Sequence, residues 1–226
     1  MRAVTLSKQG FKSEKNEDAC LVLNNKCLYV VADGVGGGPR GDFASRTLVD
    51  EIYRLCALSD SDSSIEKVLI KAIQNANRLI YDAAQAPDLN GMATTLVCAV
   101  VRSGRLVVMH AGDSRAYRLR DDELMPLTND HTKAIQRSDN QIKQVITNAV
   151  GIRNNIKIEL NRFDWDVEDQ LLLFSDGITD VLNDSTILSI LQSAQVPMAD
   201  RVKGLVLESE RQGGRDDKTV VLAYER

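Results

Sequence analysis

The sequence predicts an α+β fold in which strands and helices come in separate groups. Short segments of alternating or continuously apolar residues open the chain, return in its middle and close it, and such segments are typical of strands. Two longer segments with apolar residues every three or four positions follow the first strands, and further helical segments precede the last strand. Runs of strands followed by runs of helices are typical of the α+β class.

The composition limits the size and class of the protein. Hydrophobic residues make up 43% of the 226 residues, which is enough for one sizeable core, so we predict a single domain over residues 1–226. The formal net charge of -4 is not the basic footprint of a nucleic-acid-binding protein. No long apolar segment opens the chain, so we expect no signal peptide, no membrane span and a cytoplasmic location. No pattern indicates an oligomer, and we expect a monomer.

The cysteines and histidines are few and widely spaced. The four cysteines, at positions 20, 27, 56 and 98, form no Cys-x-x-Cys pair and lie mostly in apolar segments, so we expect reduced, buried thiols. With only two histidines in the chain, this spacing does not predict a zinc site. We expect His110 to be a strand residue and His131 to stabilise a loop.

The first three predicted strands place acidic residues at one edge of a sheet. Residues 2–7 alternate, residues 19–23 and 26–32 are apolar, and Asn24-Asn25 indicates a turn between the last two. Because antiparallel strands reverse direction, three carboxylates should gather at one edge: Glu17, Asp18 and Asp33. Carboxylates at close range repel one another, so we expect a cation between them; solvated loop acids would give the same pattern.

A glycine-rich segment follows Asp33 at once. Glycines at positions 34, 36, 37, 38 and 41 allow sharp turns and a close approach of the backbone to a ligand. A carboxylate at a strand end, beside exposed backbone oxygens, suits a hard cation such as Mg²⁺ or Mn²⁺. A plain Asp-Gly turn also fits this segment, whereas a P-loop would need a Gly-Lys-Ser/Thr ending that the segment lacks.

Two helices are predicted next. Residues 42–56 carry apolar residues at helical spacing, with Asp42 as the candidate N-cap and Phe43 and Leu48 on the apolar face. Residues 65–86 form the second helix, which serines of the preceding linker can cap and which Pro87 ends. We expect the two helices to pack together on one face of a sheet.

The second half of the chain continues with strands and then helices. Further strands are predicted at residues 93–101, 105–111, 114–119, 155–161, 170–174 and 220–223, and helices at residues 178–182, 185–192 and 197–210. Asp121-Asp122 indicates a hairpin turn. The polar stretch from about residue 128 to residue 144 is the least regular part, and we expect it to be a mobile segment near the site.

Acidic residues mark the ends of four apolar segments. These residues are Asp33, Asp113, Asp176 and Asp216. A single acidic residue at a strand end carries little information. The recurrence of the pattern, together with the earlier acidic pair, favours a centre that holds more than one metal ion.

Seven motifs spread over nearly the whole chain resemble those of a known family. They are Asn16-Glu-Asp-Ala, Val31-Ala-Asp-Gly-Val-Gly-Gly, Gly91-Met-Ala-Thr-Thr, Gly112-Asp-Ser-Arg-Ala-Tyr, Leu127-Thr-Asn-Asp-His, Phe174-Ser-Asp-Gly-Ile-Thr-Asp and Gly213-Gly-Arg-Asp-Asp-Lys-Thr-Val. In this order they resemble the metal-dependent type 2C serine/threonine protein phosphatases, in the compact form common in bacteria. The resemblance implies a four-layer α/β/β/α sandwich of two antiparallel sheets flanked by helices, and a sheet-on-sheet core agrees with the alternating strands.

The resemblance also implies an activity and a set of site residues. The activity is the hydrolysis of phosphoserine and phosphothreonine in proteins, by a water or hydroxide activated between two Mn²⁺ or Mg²⁺ ions, in opposition to a serine/threonine kinase. The implied metal-binding residues are Glu17, Asp18, Asp33, Gly34, Asp113, Asp176 and Asp216. Asp33 would bridge the two ions and is, with Asp176, the expected catalytic residue. Asp18 would act through water, and Asp113 would help to hold a weaker third ion.

The chain departs from the family pattern where substrate would bind. Ser13 stands where the family usually has a phosphate-binding arginine, so Lys12 or Arg40 would have to supply the charge. Asp217 stands where asparagine is common and is expected to add a charge beside Asp216.

These departures leave a second hypothesis open, a phosphatase-like binding or sensor module with little or no turnover. A metal-dependent nuclease or a hydrolase of small phosphoesters fits the acidic residues, but it does not fit the order of the motifs or the net negative charge.

Overall fold

The predicted strands and helices follow one another in the predicted order, and three further strands lie between residues 123 and 146. The computed structural model describes residues 1–12, 14–35, 40–57, 65–136, 142–193 and 195–225. Within these residues the strands are β1 (Arg2–Lys8), β2 (Asp18–Leu23), β3 (Leu28–Asp33), β4 (Leu96–Arg102), β5 (Arg105–Ala111), β6 (Arg115–Arg120), β7 (Glu123–Pro126), β8 (Thr132–Gln136), β9 (Ile142–Ile146), β10 (Glu159–Asp164), β11 (Gln170–Phe174) and β12 (Lys218–Tyr224). The helices are α1 (Gly41–Cys56), α2 (Ile65–Ala83), α3 (Asp176–Thr179), α4 (Asp184–Leu191) and α5 (Met198–Arg211).

Two antiparallel sheets form the centre of the protein. Sheet A has the strand order β1-β12-β11-β6-β7, and sheet B has the order β10-β5-β4-β3-β2. Helices α1 and α2 cover sheet B, while α3, α4 and α5 cover sheet A. The protein is therefore a four-layer α/β/β/α sandwich, which confirms the predicted fold class.

The central strands are apolar on both faces because each sheet lies between two apolar layers. In β3, Tyr29 and Val31 face the other sheet, whereas Leu28 and Val30 face α1 and α2. A strand buried on both faces has no solvent side for polar residues. This is the physical reason that β3, β4 and β11 appear in the sequence as continuous apolar runs.

The first hairpin gathers its acidic residues at one edge, as predicted, although its second strand begins at Leu28 rather than at residue 26. Asp18 at the start of β2 lies opposite Asp33 at the end of β3. The two aspartate positions are therefore cross-strand neighbours, and Glu17 directly precedes them at the same edge.

Some predicted boundaries were wrong. Arg40, in the left-handed conformation, is the N-cap of α1, and Asp42 lies in the first turn instead. The buried face of this helix contains Ala44, Leu48 and Ile52, whereas Phe43 is exposed. The second helix, α2, ends at Ala83, before the 3₁₀ turn that begins at Pro87. The serines predicted to cap α2 lie outside the described residues.

Two errors concern strands. The strand expected at residues 155–161 is β10, Glu159–Asp164, because its backbone pairs with Arg105–His110 of β5. The stretch expected to be irregular forms the antiparallel ribbon β8–β9. Most of its described side chains are exposed, so its sequence lacks the apolar alternation of a half-buried strand.

The cysteines agree only in part with the predicted burial. All four cysteines are free thiols; Cys56 and Cys98 are buried, and Cys20 and Cys27 are partly exposed. None of the helices in the described part of the chain is both long enough and apolar enough to cross a membrane.

Candidate metal centre and active site

Acidic side chains from distant parts of the chain line one cleft of about 430 Å³. Its carboxylates are Glu17, Asp33, Asp113, Asp176, Asp180 and Asp216. Lys12 and Lys143 are the basic residues in the described lining. Since carboxylates outnumber ammonium groups by three to one, the cleft attracts cations. A larger cleft beside α2, of about 760 Å³, is lined largely by amide side chains and contains one described carboxylate, Asp82.

The strand order explains why these acids meet. Asp33 ends β3, and Asp113 lies between β5 and β6. Asp176 follows β11 and Asp216 precedes β12; because these two strands are antiparallel, the end of one lies beside the start of the other. The cleft is thus formed where strands of both sheets end.

The backbone of Asp33 is fixed by two adjacent threonines. Its N–H donates to Oγ1 of Thr95 at 3.0 Å, and its carbonyl accepts from the N–H of Thr95 at 2.7 Å and from Oγ1 of Thr94 at 2.9 Å. These threonines end the Gly91-Met-Ala-Thr-Thr motif, whose role the sequence did not reveal. They hold the Asp33 carboxylate in place from the neighbouring segment.

Gly34 allows three segments to approach closely. Its N–H donates to the carbonyl of Glu17 at 3.1 Å, and Oγ of Ser45 donates to the same carbonyl at 2.6 Å. A Cβ atom at Gly34 would lie 2.5 Å from the carbonyl carbon of Gly41. Any side chain at position 34 would therefore push the start of α1 away from the edge that carries Glu17 and Asp33.

Asp18 lies beneath the cleft rather than in its described lining. Its side chain is buried, and its Oδ2 accepts from Oγ of Ser175 at 2.7 Å and from Oγ1 of Thr219 at 2.6 Å. The other oxygen, Oδ1, has no hydrogen-bond partner among the described residues. A buried carboxylate oxygen without a partner is costly, so this atom fits an additional ligand such as an ordered water.

Asp217 adds a negative charge near the cleft, since its charge is, after burial, the next cause of the raised pKa of Glu17. The Asp217 carboxylate does not line the described cleft beside Asp216. It is buried and accepts from the backbone N–H of Gly10 and of Glu17, both at 2.7 Å. Asp217 therefore fixes the segment before β2, a role that the sequence analysis missed.

Burial and mutual repulsion raise the pKa values of the acidic residues. Burial, followed by the charges of Asp18 and Asp176, raises the pKa of Asp33 well above its usual value. Burial and the charge of Asp216 likewise raise the pKa of Asp176. Burial, with Asp130, raises the pKa of Asp113 to about 6. Such a cluster is unfavourable as bare carboxylates, and bound cations would relieve the repulsion.

Of the three predicted substrate-binding residues, one belongs to the described lining of the cleft. Lys12 lines the cleft and forms an ion pair with Asp216. Arg40 contacts Asp42 and lies over the ring of Phe43, and it is absent from the described lining. Ser13 and the glycines at positions 36–38 lie outside the described residues.

The described lining of the cleft contains two charged residues that were not predicted as site residues. Asp180 lies one helical turn after Asp176, within the motif Phe174-Ser-Asp-Gly-Ile-Thr-Asp, so its position was available from the sequence. Lys143 of β9 enters the lining only because the β8–β9 ribbon folds over the cleft. The predicted position of this segment near the site is therefore confirmed.

Comparisons with known proteins agree with this geometry. The family model described as "Protein phosphatase 2C" matches residues 11–209. The serine/threonine phosphatase stp of Listeria innocua is 32% identical over 98% of this chain and 95% of its own length. The serine/threonine protein phosphatase PstP of Mycobacterium tuberculosis is 33% identical over 99% of this chain and 45% of its own length. A crystal structure of the PstP catalytic domain in complex with two manganese ions has a TM-score of 0.81 and 30% identity, and the match covers 98% of this chain and 96% of that one.

Proposed function

This chain belongs to the protein phosphatase 2C family, and from that premise we propose that its acidic cleft hydrolyses phosphoserine and phosphothreonine in proteins with the help of Mn²⁺ or Mg²⁺. The observation that supports this most directly is the gathering of six carboxylates from separate segments in one cleft. The cluster contains oxygen donors, which are the ligands that these two cations prefer.

The described residues fit a pair of divalent cations. We propose as ligands the carboxylates of Glu17, Asp33, Asp176 and Asp216 and the carbonyl of Gly34, and Asp113 as a ligand of a weaker third ion. The raised pKa of Asp33 supports this assignment, because burial among other carboxylates disfavours its charged form and a bound cation would offset that cost. Asp18 would act indirectly, since its carboxylate is held by Ser175 and Thr219 beneath the cleft.

The chain's own residues would prepare the cleft for a phosphate dianion. When bound, the metal ions supply Lewis-acid stabilisation of the phosphoryl oxygens and lower the pKa of the attacking water. Without cations the carboxylates would repel the phosphate, so cation binding must precede substrate binding. The new bond joins the water oxygen to phosphorus, and the bond from phosphorus to the substrate hydroxyl oxygen breaks. Neither His110 nor His131 lines the described cleft, so the proton for the leaving oxygen would come from a carboxyl group or from solvent.

Lysines replace the usual arginine in this proposal. Lys12 and Lys143 come from distant parts of the chain, and both line the cleft. Their ammonium groups would place positive charge near the phosphoryl oxygens. An ammonium group lacks the bidentate geometry of a guanidinium group, so we expect a lower affinity for the phosphate than an arginine would give. The position of Arg40 outside the described lining gives no support to the alternative that it takes this role.

We further propose that residues 1–226 form a single catalytic domain that works as a cytoplasmic monomer and opposes a serine/threonine kinase. The free thiols of all four cysteines support a reducing compartment. The three apolar clusters and the two sheets involve both ends of the chain, which supports one folding unit.

The decisive experiment is hydrolysis of a phosphothreonine peptide with and without added Mn²⁺, beside an Asp33→Ala control. We expect Mn²⁺-dependent release of phosphate that the control lacks, while circular dichroism shows that both proteins are folded. Metal binding without phosphate release would support the binding-module hypothesis instead. Activity that survives in both Asp33→Ala and Asp176→Ala would overturn the assignment of the site.

A further inference from the structure

The two histidines meet one glutamate outside the carboxylate cleft. His110 lies in β5 directly opposite Glu159 of β10, and His131 immediately precedes β8. The two imidazole rings are 4.6 Å apart between centroids, and one potential ligand atom from each of the three side chains lies within 4.8 Å of the others. None of the three side chains belongs to the described lining of the carboxylate cleft.

His110 is a buried side chain without an ordinary hydrogen bond. It is 1% exposed, and neither of its ring nitrogens has a hydrogen-bond partner among the described residues. The backbone of Ser114 lies near enough to favour the protonated ring, but burial dominates and lowers the pKa of His110 to about 4. The ring is therefore neutral near pH 7, which is the form that binds metals. A neutral imidazole in this position has at least one nitrogen that lacks a partner.

The other two side chains are already held in place. Nδ1 of His131 accepts from the N–H of Gly112 and from Nδ2 of Asn148, each at 3.2 Å, so the ring proton is on Nε2. Nε2 donates to Oε2 of Glu159 at 3.0 Å, and this bond keeps the pKa of Glu159 below its ordinary value. Oε1 of Glu159 accepts from Asn161 at 2.8 Å. The glutamate is thus an oriented carboxylate.

We propose that His110, His131 and Glu159 form a binding site for a first-row transition-metal ion such as Zn²⁺, separate from the carboxylate cleft. Two imidazole nitrogens and one carboxylate form a three-ligand set that Zn²⁺ accepts with a fourth position left for water. Imidazole also favours Zn²⁺ and Co²⁺ over Mg²⁺, which prefers oxygen donors. The sequence could not show this site because its residues are 21 and 28 positions apart along the chain. The pairing of β5 with β10 joins His110 to Glu159, and hydrogen bonds with Gly112 hold His131 beside them.

Metal binding would change the hydrogen bonds of His131. For Nε2 to bind the ion, the ring proton must move from Nε2 to Nδ1 through solvent. Nδ1 would then face the N–H of Gly112 with a proton of its own, so that hydrogen bond must break. Because this hydrogen bond breaks when the metal binds, the backbone amide of Gly112 reports whether the site is occupied.

The test is a Co²⁺ titration of the full chain in excess Mg²⁺, followed by visible absorption. Excess Mg²⁺ occupies the oxygen-rich cleft, and Co²⁺ bound to imidazole in a low-coordinate site absorbs far more strongly than Co²⁺ in an octahedral oxygen site. We expect one equivalent of strongly absorbing Co²⁺ that Zn²⁺ displaces. In Glu159→Gln, which retains an oxygen to accept from His131, binding should weaken about tenfold or more.

Two further variants sharpen the result. Glu168→Gln makes the same change of charge at an exposed position and should bind Co²⁺ like the unaltered protein. His110→Asn should lose the absorption band, with near-ultraviolet circular dichroism to confirm that it is folded. If it does not fold, Glu159→Gln decides the question alone. With ¹⁵N-labelled protein, Zn²⁺ should shift the amide resonance of Gly112. Absence of the band in the unaltered chain, or unchanged Co²⁺ affinity in Glu159→Gln, would overturn the proposal.

Discussion

Replacing Asp113 by Asn should stabilise the metal-free protein while weakening the third-ion site that we propose. Burial and the charge of Asp130 raise the pKa of Asp113 to about 6 from the ordinary 3.8. An acid whose pKa is higher in the folded state than in the unfolded state destabilises the fold once it is ionised. Asparagine has nearly the same shape and no charge, so it removes this cost.

The size of the effect follows from that pKa difference. Each pKa unit corresponds to about 1.4 kcal/mol, so the variant should gain about 3 kcal/mol in the free energy of unfolding at pH 8. The destabilising charge is fully present above the folded pKa and disappears as the pH falls through about 6 toward 3.8. At pH 4 the two proteins should therefore differ by less than about 1 kcal/mol.

Urea unfolding in the presence of a chelator measures this difference directly. The midpoint should rise at pH 8 without a change in slope, because the exposed surface on unfolding is the same. Asp50→Asn, an exposed change on α1, is the matched control and should leave the midpoint unchanged. A variant that is no more stable than the unaltered protein at pH 8, or equally stabilised at pH 4 and pH 8, would refute the reasoning. Added Mn²⁺ should narrow the difference, because an ion bound at Asp113 stabilises the unaltered protein more.

Three other predictions concern the surroundings of the cleft. Asp217→Ala leaves the backbone amides of Gly10 and Glu17 without their acceptor, so it should lower the free energy of unfolding in urea by about 3 kcal/mol or more. Asp217→Asn should lower it by about half as much. If Asp217→Ala is as stable as the unaltered protein, the proposed support role is contradicted. Gly34→Ala should lower the free energy of unfolding by about 1–3 kcal/mol and raise the Mn²⁺ concentration needed for activity. The control Gly204→Ala, within α5, should not lower the free energy of unfolding. An unchanged stability of Gly34→Ala would show that α1 can shift freely. Ser13→Arg should lower KM for a phosphopeptide more than it changes kcat, and an unchanged or higher KM would indicate that lysines already bind the phosphate well enough.

Much of the site was predictable because its acids lie at the ends of strands. A buried apolar run that ends in a carboxylate is visible in the sequence, and the Asn24-Asn25 turn was enough to place Asp18 and Asp33 at one edge of the sheet. Their cross-strand pairing is seen only in the structure. Asp176 and Asp216 were predicted in the same way, from the ends of other apolar runs. Of the seven predicted metal-binding residues, all except Asp18 and Gly34 belong to the described lining of the carboxylate cleft.

The failures have two physical causes, which are contacts between distant segments and the absence of an apolar pattern in exposed strands. The direction of the Asp217 carboxylate depends on two backbone amides about 200 residues earlier in the chain. The β8–β9 ribbon has exposed faces, so no apolar alternation revealed its strands.

The sequence by itself determined the fold class, the order of most elements and most of the acids that form the cleft, because local hydrophobic periodicity and short turns encode these features. Only the tertiary structure decided which charges face the cleft and which support it from behind. Asp18 and Asp217 are buried supports, Lys143 enters the cleft from an exposed ribbon, and Arg40 stays outside the described lining. It also decided that His110 and His131 meet beside Glu159. Side-chain direction depends on hydrogen bonds and packing between segments far apart in the chain, and no local pattern records them.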